Sequence, residues 1–367
     1  MSITKEEQQI PASVEYQSSV SAGVPRVLLL STNSGGHTGR SGYSILAQYI
    51  SGAYLIDRAR KDPQHGLGRL ATGIMSRTTV SGWYRFGSAR MELAACRFLL
   101  RGFTGVIHLL WADCDLGFSD ILRSRTRHPM CGTFHSPSTT LAKNINYPSR
   151  LRGLDRIILM SDGQRRFFEA HGVPKARLRV VYHGVDTNFF HPSRGGGAER
   201  FTVLFVGSFL RNFGLLRQVC EALSPLKDVD VKIVSASTVR SRFAGLQNVA
   251  FAPRLTDTEL LEAYQSASCL LMTAEDATAN NAVLEAMACG LPIVSERVGG
   301  IPEYVNGKCA YLTEPGRAEP ILRALKRLRE SASLQADMGE ASRRRAEELK
   351  WEIAAAQTTE IYKELRA

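Results

Sequence analysis

The stretch Thr273-Ala-Glu-Asp-Ala-Thr-Ala-Asn-Asn-Ala-Val-Leu-Glu285 follows a short apolar run, Cys269 to Met272, and leads into a segment from Asn281 to Cys289 that Gly290 and Pro292 stop. That order reads as strand, polar loop, helix. Asn280 or Asn281 is placed to cap the helix, so its unpaired N–H groups, around Ala282 and Val283, open into the loop. The positive dipole end there is receptive to phosphate. Asn281 and Glu285 stand one helical turn apart and share the loop side, while Leu284, Val283 and Met287 pack behind.

Three further loops carry polar chemistry. The run Arg26 to Leu30 is followed by a loop with glycines at 35, 36, 39 and 42 and then by a helical stretch, Ser44 to Ile50. Glycines let backbone approach a ligand closely. Their spacing matches neither a dinucleotide fingerprint nor a Walker loop, so nicotinamide and ATP readings lose their main support. Trp111-Ala-Asp-Cys-Asp115 offers Asp113 and Asp115 at the spacing of a metal-binding D-x-D, or simply a polar turn. Thr133-Phe-His-Ser-Pro137 presents His135 just after a strand, a place where histidine is commonly structural.

The elements that must position these loops alternate. Apolar runs at Ala53 to Ile56, Val106 to Leu110, Cys131 to Phe134, Arg156 to Met160 and Leu178 to Tyr182 are separated by helical segments. This predicts a parallel sheet covered on both faces, with ligand loops at the strand ends. Ser193-Arg-Gly-Gly-Gly-Ala198 has the composition of a flexible linker. Strands recur at Phe201 to Val206, Val231 to Ser235, Val249 to Ala252, Cys269 to Met272, Pro292 to Ser295 and Cys309 to Leu312, and Thr256-x-x-Glu259 is a capping box. A second doubly wound sheet follows. A basic amphipathic stretch from Ala318 through Arg345 and a last helix from Trp351 to about Leu365 end the chain.

At 367 residues the chain exceeds a comfortable single core, and its apolar content of 44% supports two. The seven cysteines form no C-x-x-C and sit mostly in apolar runs, which fits reduced thiols in a cytosolic protein and suggests no metal cluster. Residues 1–24 are polar and lack the order of a signal peptide, and no run approaches a membrane span. The net charge of +11 is concentrated between Arg58 and Arg101, where nine Lys/Arg face Asp62 and Glu92. With Ile74, Met75, Trp83, Tyr84 and Phe86 interleaved, this segment is either a surface for an anionic membrane or phosphate-bearing acceptor, or a solvated helix pair over the sheet. No nucleic-acid motif accompanies the charge.

The helix segment continues as Ala-Met-Ala-Cys-Gly-Leu-Pro-Ile-Val294, and Gly-Gly-Ile-Pro-Glu303 follows. Together these resemble the signature of the retaining glycosyltransferases of family 4, two-domain enzymes of the GT-B fold that use nucleoside-diphosphate sugars. The resemblance covers about residues 26 to 367 and is strongest from 178 onward. It implies an α/β architecture of two Rossmann-like units facing across a cleft, an acceptor-side domain of 25–192 with 352–367 and a nucleotide-sugar domain of 199–351, behind the tail that the polar composition of 1–24 suggests. The terminal helix would cross back to the first domain, with Trp351 as anchor. Of the family's paired glutamates the second is Glu285, implied to hold the ribose, while the first falls on Ala277; Asp276 or Glu275 is the replacement next to hand. His135 matches the family histidine that touches the transferred sugar, and Gly35 and Gly36 its phosphate loop. The family's Arg and Lys for the diphosphate fall on Ser208 and Phe213, which leaves Arg211, the cation between them, in that role.

The function so implied is transfer of a sugar from a nucleoside-diphosphate sugar to an acceptor hydroxyl of a glycan or lipid-linked acceptor, as in polysaccharide or glycolipid synthesis. Neither cofactor nor metal is expected, and the protein is placed in the cytoplasm or at the inner face of the membrane. The rivals are a GT-B-fold epimerase or phosphorylase and an inactive nucleotide-sugar-binding protein.

Overall fold

The computed structural model describes residues 14–16, 25–33, 40, 42–59, 62, 65–119, 128–193, 200–253 and 255–366. Strands β1 (Val14–Tyr16), β2 (Val27–Asn33), β3 (Ala53–Ala59), β4 (Val106–Leu109), β5 (Met130–Phe134), β6 (Arg156–Leu159) and β7 (Leu178–Val180) form one sheet in the order β1-β3-β2-β4-β5-β6-β7. Neighbours run parallel apart from β1, which pairs antiparallel with β3. The polar N-terminal stretch thus contributes an edge strand, whereas its composition had suggested a tail. Strands β8 (Phe201–Val206), β9 (Val229–Val234), β10 (Val249–Ala252), β11 (Cys269–Met272), β12 (Ile293–Glu296) and β13 (Ala310–Thr313) build a second, wholly parallel sheet in the order β10-β9-β8-β11-β12-β13.

Both sheets are buried on both faces, which is why their strands read as continuous apolar runs. In the first, Leu28, Leu30, Ile107 and Leu109 enter one layer while Val27, Leu29 and Val106 enter the other. In the second, Leu204, Leu270 and Ile293 oppose Val203, Phe205, Leu271 and Val294 in the same manner. The strand order reverses between β2 and β4 in one sheet and between β8 and β11 in the other. Parallel sheets open a crevice at such reversals, at the carboxyl ends of the strands.

The last helix, Trp351–Arg366, crosses back to the first sheet, as the resemblance implied. Trp351 is buried with its ring 4.8 Å from that of His183 and 5.7 Å from that of Tyr43, and Ala354, Ala355, Ile361 and Tyr362 complete the layer over β2 and β4. Two local expectations change. Ser44 to Ile50 is a 3₁₀ segment, Tyr43–Gln48, in which Tyr43 and Leu46, three residues apart, both reach the core; no side chain caps it at Gly42. The basic stretch from Ala318 is two helices, Ala318–Arg329 and Ala332–Glu347, because the Ser331 hydroxyl accepts from the N–H of Leu334 and starts a new one.

His108 lies fully buried on β4 between Tyr362 Oη at 2.6 Å and Thr133 Oγ1 at 2.7 Å, and so ties the crossing helix to the sheet. Burial, reinforced by His135, pushes its pKa down from 6.5 to about 3. The folded state therefore holds the imidazole neutral while the unfolded chain protonates it below about pH 6.5, so this contribution is complete above that pH and is lost as pH falls toward 3. Melting temperature is expected to fall across that window, and the slope should be shallower in His108→Gln. A variant with the parent's slope would place the acid sensitivity elsewhere.

Candidate active-site cleft

The loops after β8 and β11 meet at the reversal of the second sheet, and their backbones are joined there. Asn212 N–H donates to the Thr273 carbonyl and Glu275 N–H to that of Leu210. The Glu296 carboxylate, at the end of β12, accepts from Ala274 N–H and Gly316 N–H and fixes the turn from behind. Gly207 adopts φ 105°, and a Cβ there would come within 2.5 Å of the Arg211 guanidinium. Glycine leaves the space in which that guanidinium lies.

Arg211 folds back over its own loop. Nε and Nη2 donate to the Val206 carbonyl at 3.3 and 3.2 Å, Nη1 to that of Phe209 at 3.1 Å, and Nη2 to Asn280 Oδ1 at 3.4 Å. All four bonds reach neutral oxygens, and no described carboxylate forms an ion pair with it. Desolvation pushes its pKa down to about 10, so at neutral pH it remains a cation without a counter-charge. Such a group is complementary to an anion.

That anion would also meet a helix head. Asn280 caps the helix Asn281–Ala288, its Oδ1 accepting from Val283 N–H at 3.4 Å, and Asn280, Asn281, Ala282 and Glu285 line the same cleft as Arg211, of about 1430 Å³. Val283 turns its side chain into the core, as expected. Glu285, one turn down, is buried and accepts from Tyr264 Oη at 2.8 Å.

The opposite wall comes from the first sheet. His135, after β5, donates from Nε2 to the Leu110 carbonyl at 2.7 Å, since a carbonyl only accepts. Its ring stacks on Trp111 at 4.0 Å and meets the edge of Tyr43 at 4.7 Å, so it is held rigidly in the cleft lining. Asp113 and Asp115 go to different partners. Both are buried, but Asp113, 2% exposed, borders the cleft and accepts from Ser136 Oγ at 2.6 Å, whereas Asp115 accepts from Ser88 Oγ at 2.7 Å and Thr32 Oγ1 at 2.8 Å. They do not converge as a metal pair. Across the mouth, Trp83 and Phe209 approach edge to face at 6.5 Å, one from each wall.

The two carboxylates that sequence offered in place of Ala277 are not brought to the cleft. Asp276 accepts from Thr139 Oγ1 at 2.8 Å and from Ala277 N–H at 2.8 Å, and Glu275 is exposed; neither lines the cavity. Gly299, with φ 50°, packs so closely that a Cβ would meet the Ala277 carbonyl at 2.0 Å, which accounts for the Gly-Gly of the motif. Gly35 and Gly36 lie outside the described residues. Sequence reasoning missed the far end of the cleft, made by Val234 to Ser237 after β9 and by Pro253, Leu255 and Asp257 after β10. Their types are ordinary; the signal was their place at strand carboxyl ends.

Residues 200–331 match the family model described as Glycosyl transferases group 1, and residues 91–189 match that of Glycosyltransferase Family 4. The chain is 29% identical over 208 residues to sulfoquinovosyl transferase SQD2 of Arabidopsis thaliana, covering 51% of this chain and 39% of that protein. It is 24% identical over 353 residues to a D-inositol 3-phosphate glycosyltransferase of Streptomyces bingchenggensis, covering 80% of this chain and 76% of the relative. Among solved structures, sucrose-phosphate synthase from Thermosynechococcus elongatus superposes with a TM-score of 0.70 at 18% identity, over 93% of this chain and 99% of the other. Anabaena HepE in complex with UDP-glucose does so with 0.68 at 17%, over 92% and 99%.

Tyr264→Phe removes one donor from the buried Glu285 carboxylate while keeping the ring. It is expected to cost about 1.5–3 kcal/mol, the scale of a hydrogen bond to a charged group. Chemical denaturation checks this, and an unchanged midpoint would mean that the hydroxyl does not hold Glu285.

Proposed function

With the chain a family 4-type glycosyltransferase of the GT-B fold, we propose that this cleft takes a nucleoside-diphosphate sugar and transfers the sugar to an acceptor hydroxyl with retention of configuration and without a metal. The observation that carries the reading is the desolvated guanidinium of Arg211, paired among the described residues only with neutral oxygens and set at the head of the Asn281–Ala288 helix. A diphosphate supplies the missing charge to both. As the sugar–phosphate bond breaks, negative charge gathers on the leaving group, and these fixed donors meet it more strongly than in the ground state.

Glu285, on the cleft side of the helix, accepts from the ribose hydroxyls, and the base extends toward Val234 to Ser237 and Pro253. His135 faces the sugar from the first wall. The acceptor enters on that side, its hydroxyl proton passing to the departing phosphate oxygen on the face that the leaving group vacates. Metal independence follows from the same division of labour, since Arg211 and the helix head meet the diphosphate charge while Asp115 is committed to Ser88 and Thr32.

Arg211→Ala is expected to lower kcat by roughly 10²- to 10³-fold, as for the loss of one preorganised donor, with donor KM changed less. Arg211→Lys should recover only part, because a point charge lacks the guanidinium fork. Chelator should leave the parent's turnover unchanged. Parent-like turnover in Arg211→Ala would assign the diphosphate to other groups, and activity lost to chelator and restored by Mg²⁺ or Mn²⁺ would overturn metal independence.

The acceptor side is proposed to rest on an anionic membrane, the source of a lipid-linked acceptor. In the helix Gly66–Thr78, Leu67, Leu70 and Ile74 are 84%, 61% and 54% exposed on one stripe flanked by the exposed Arg69 and Arg77. The next helix, Phe86–Leu100, alternates exposed Arg90, Leu93, Arg97 and Leu100, and the loop between the two helices brings Trp83 and Arg85 to the cleft. Tyr84 does not join this surface: it is buried, with its hydroxyl on Glu92. No described helix is long and apolar enough to cross a membrane. Co-sedimentation with liposomes should rise with anionic lipid content, each apposed Arg adding about 1 kcal/mol, and should fall in a Leu67→Ser/Leu70→Ser/Ile74→Ser variant. Binding indifferent to lipid charge at low salt would remove the membrane from the account.

A further inference from the structure

We infer that the carboxylate facing the transferred sugar comes from the opposite wall of the cleft, from Asp113. This rests on the donor reading above and fills the place that Ala277 leaves empty. On the helix-side wall the methyl of Ala277 is buried, its carbonyl accepts from Gly300 N–H at 2.8 Å, and Gly299 packs against it, so the backbone there is fixed with a methyl at the position of the family carboxylate. Asp276 is spent on Thr139 and the Ala277 N–H, and Glu275 points to solvent.

Among the described residues three carboxylates line the cleft, those of Asp113, Asp257 and Glu285. Asp257 opens the helix that follows β10, at the far end from His135, and Glu285 sits a turn inside the Asn281–Ala288 helix with Tyr264 on it. Asp113 alone stands beside His135. Its Oδ2 accepts from Ser136 Oγ at 2.6 Å and from the His135 N–H at 3.3 Å, and its own carbonyl accepts from Ser81 Oγ at 2.7 Å. The helical turn Ala112–Asp115 and the strand-end turn His135–Ser136 thus lock the carboxylate in one orientation before any ligand arrives.

A pyranose ring presents several hydroxyl donors, and a carboxylate accepts from them in charge-assisted bonds that are stronger than neutral ones. The same negative charge, on the sugar side of the cleft, would stabilise the positive charge that develops on the ring as the phosphate leaves. The ligand class is therefore a polyhydroxylated hexosyl group on its nucleoside diphosphate, gripped by Arg211 at the phosphate end and by Asp113 with His135 at the sugar end.

The test compares each nucleoside diphosphate with its sugar. UDP, GDP, UDP-glucose and GDP-mannose are titrated by calorimetry into the parent, Asp113→Asn, Asp276→Asn and Ser136→Ala, with donor turnover measured alongside. Asp113→Asn is expected to bind the bare diphosphate like the parent, and to lose about 10- to 100-fold in affinity for the sugar conjugate or in turnover. Asp276→Asn should behave like the parent. Ser136→Ala removes the bond to the turn and keeps the carboxylate, so a purely structural role for Asp113 predicts the same loss in both variants, and a sugar contact predicts a small loss in Ser136→Ala. Diphosphate binding with an intact sugar increment in Asp113→Asn overturns the inference alone. Equal losses in Asp113→Asn and Ser136→Ala also overturn it, and binding of none of the four compounds overturns the donor reading together with it.

Discussion

A half-buried guanidinium that no described carboxylate pairs is costly, and the loops after β8 and β11 are arranged around keeping one. Arg211 survives desolvation because three neutral oxygens, those of Val206, Phe209 and Asn280, accept its hydrogens, and because Gly207 gives up the Cβ that would collide with it. Neutral acceptors satisfy the N–H groups and leave the charge uncancelled. Asn280 serves both this cation and the helix head, so two sources of positive potential converge on one point. The structure is thereby preorganised for an anion.

That point is useful because of where the chain order reverses. Each sheet opens at its own switch between strands, and the crossing helix Trp351–Arg366 holds the first sheet against the chain that follows the second. Described contacts between the two halves are both polar and aromatic: Thr139 with Asp276, the Asp162 N–H with the Glu303 carboxylate, Tyr304 Oη with the Met160 carbonyl, and the edge-to-face pair Trp83 and Phe209. They bring His135 and Asp113 to one side of the cleft and Arg211 and Glu285 to the other. A ligand with a charged middle and a hydroxylated end suits such a pair of walls.

Much of this was legible in sequence. Both sheets could be read because strands buried on both faces leave unbroken apolar runs, and the central helix could be read because Asn280 and Gly290 mark its ends. Arg211 stands out in sequence as the cation between Ser208 and Phe213, although its fold-back onto the Val206 carbonyl depends on the φ of Gly207, which no spacing encodes. The choice of Asp276 or Glu275 failed for a similar reason. One residue's offset along a loop rotates a side chain out of the cleft, and the partner that captures Asp276, Thr139, lies 137 positions away. The edge strand Val14–Tyr16 was hidden because a strand paired on one side carries little apolar signal. The far end of the cleft was hidden because small and apolar residues acquire meaning there only from the sheet order.

The central claim is that the cleft holds a charge waiting for a second phosphate. Calorimetric titration of the unmodified protein with a nucleoside, its monophosphate and its diphosphate, in uridine and guanosine series, tests it most directly. The account predicts that in one series the diphosphate binds at least about tenfold more tightly than the monophosphate, the scale of a hydrogen bond to a charged group. Equal affinities for monophosphate and diphosphate in both series would contradict it.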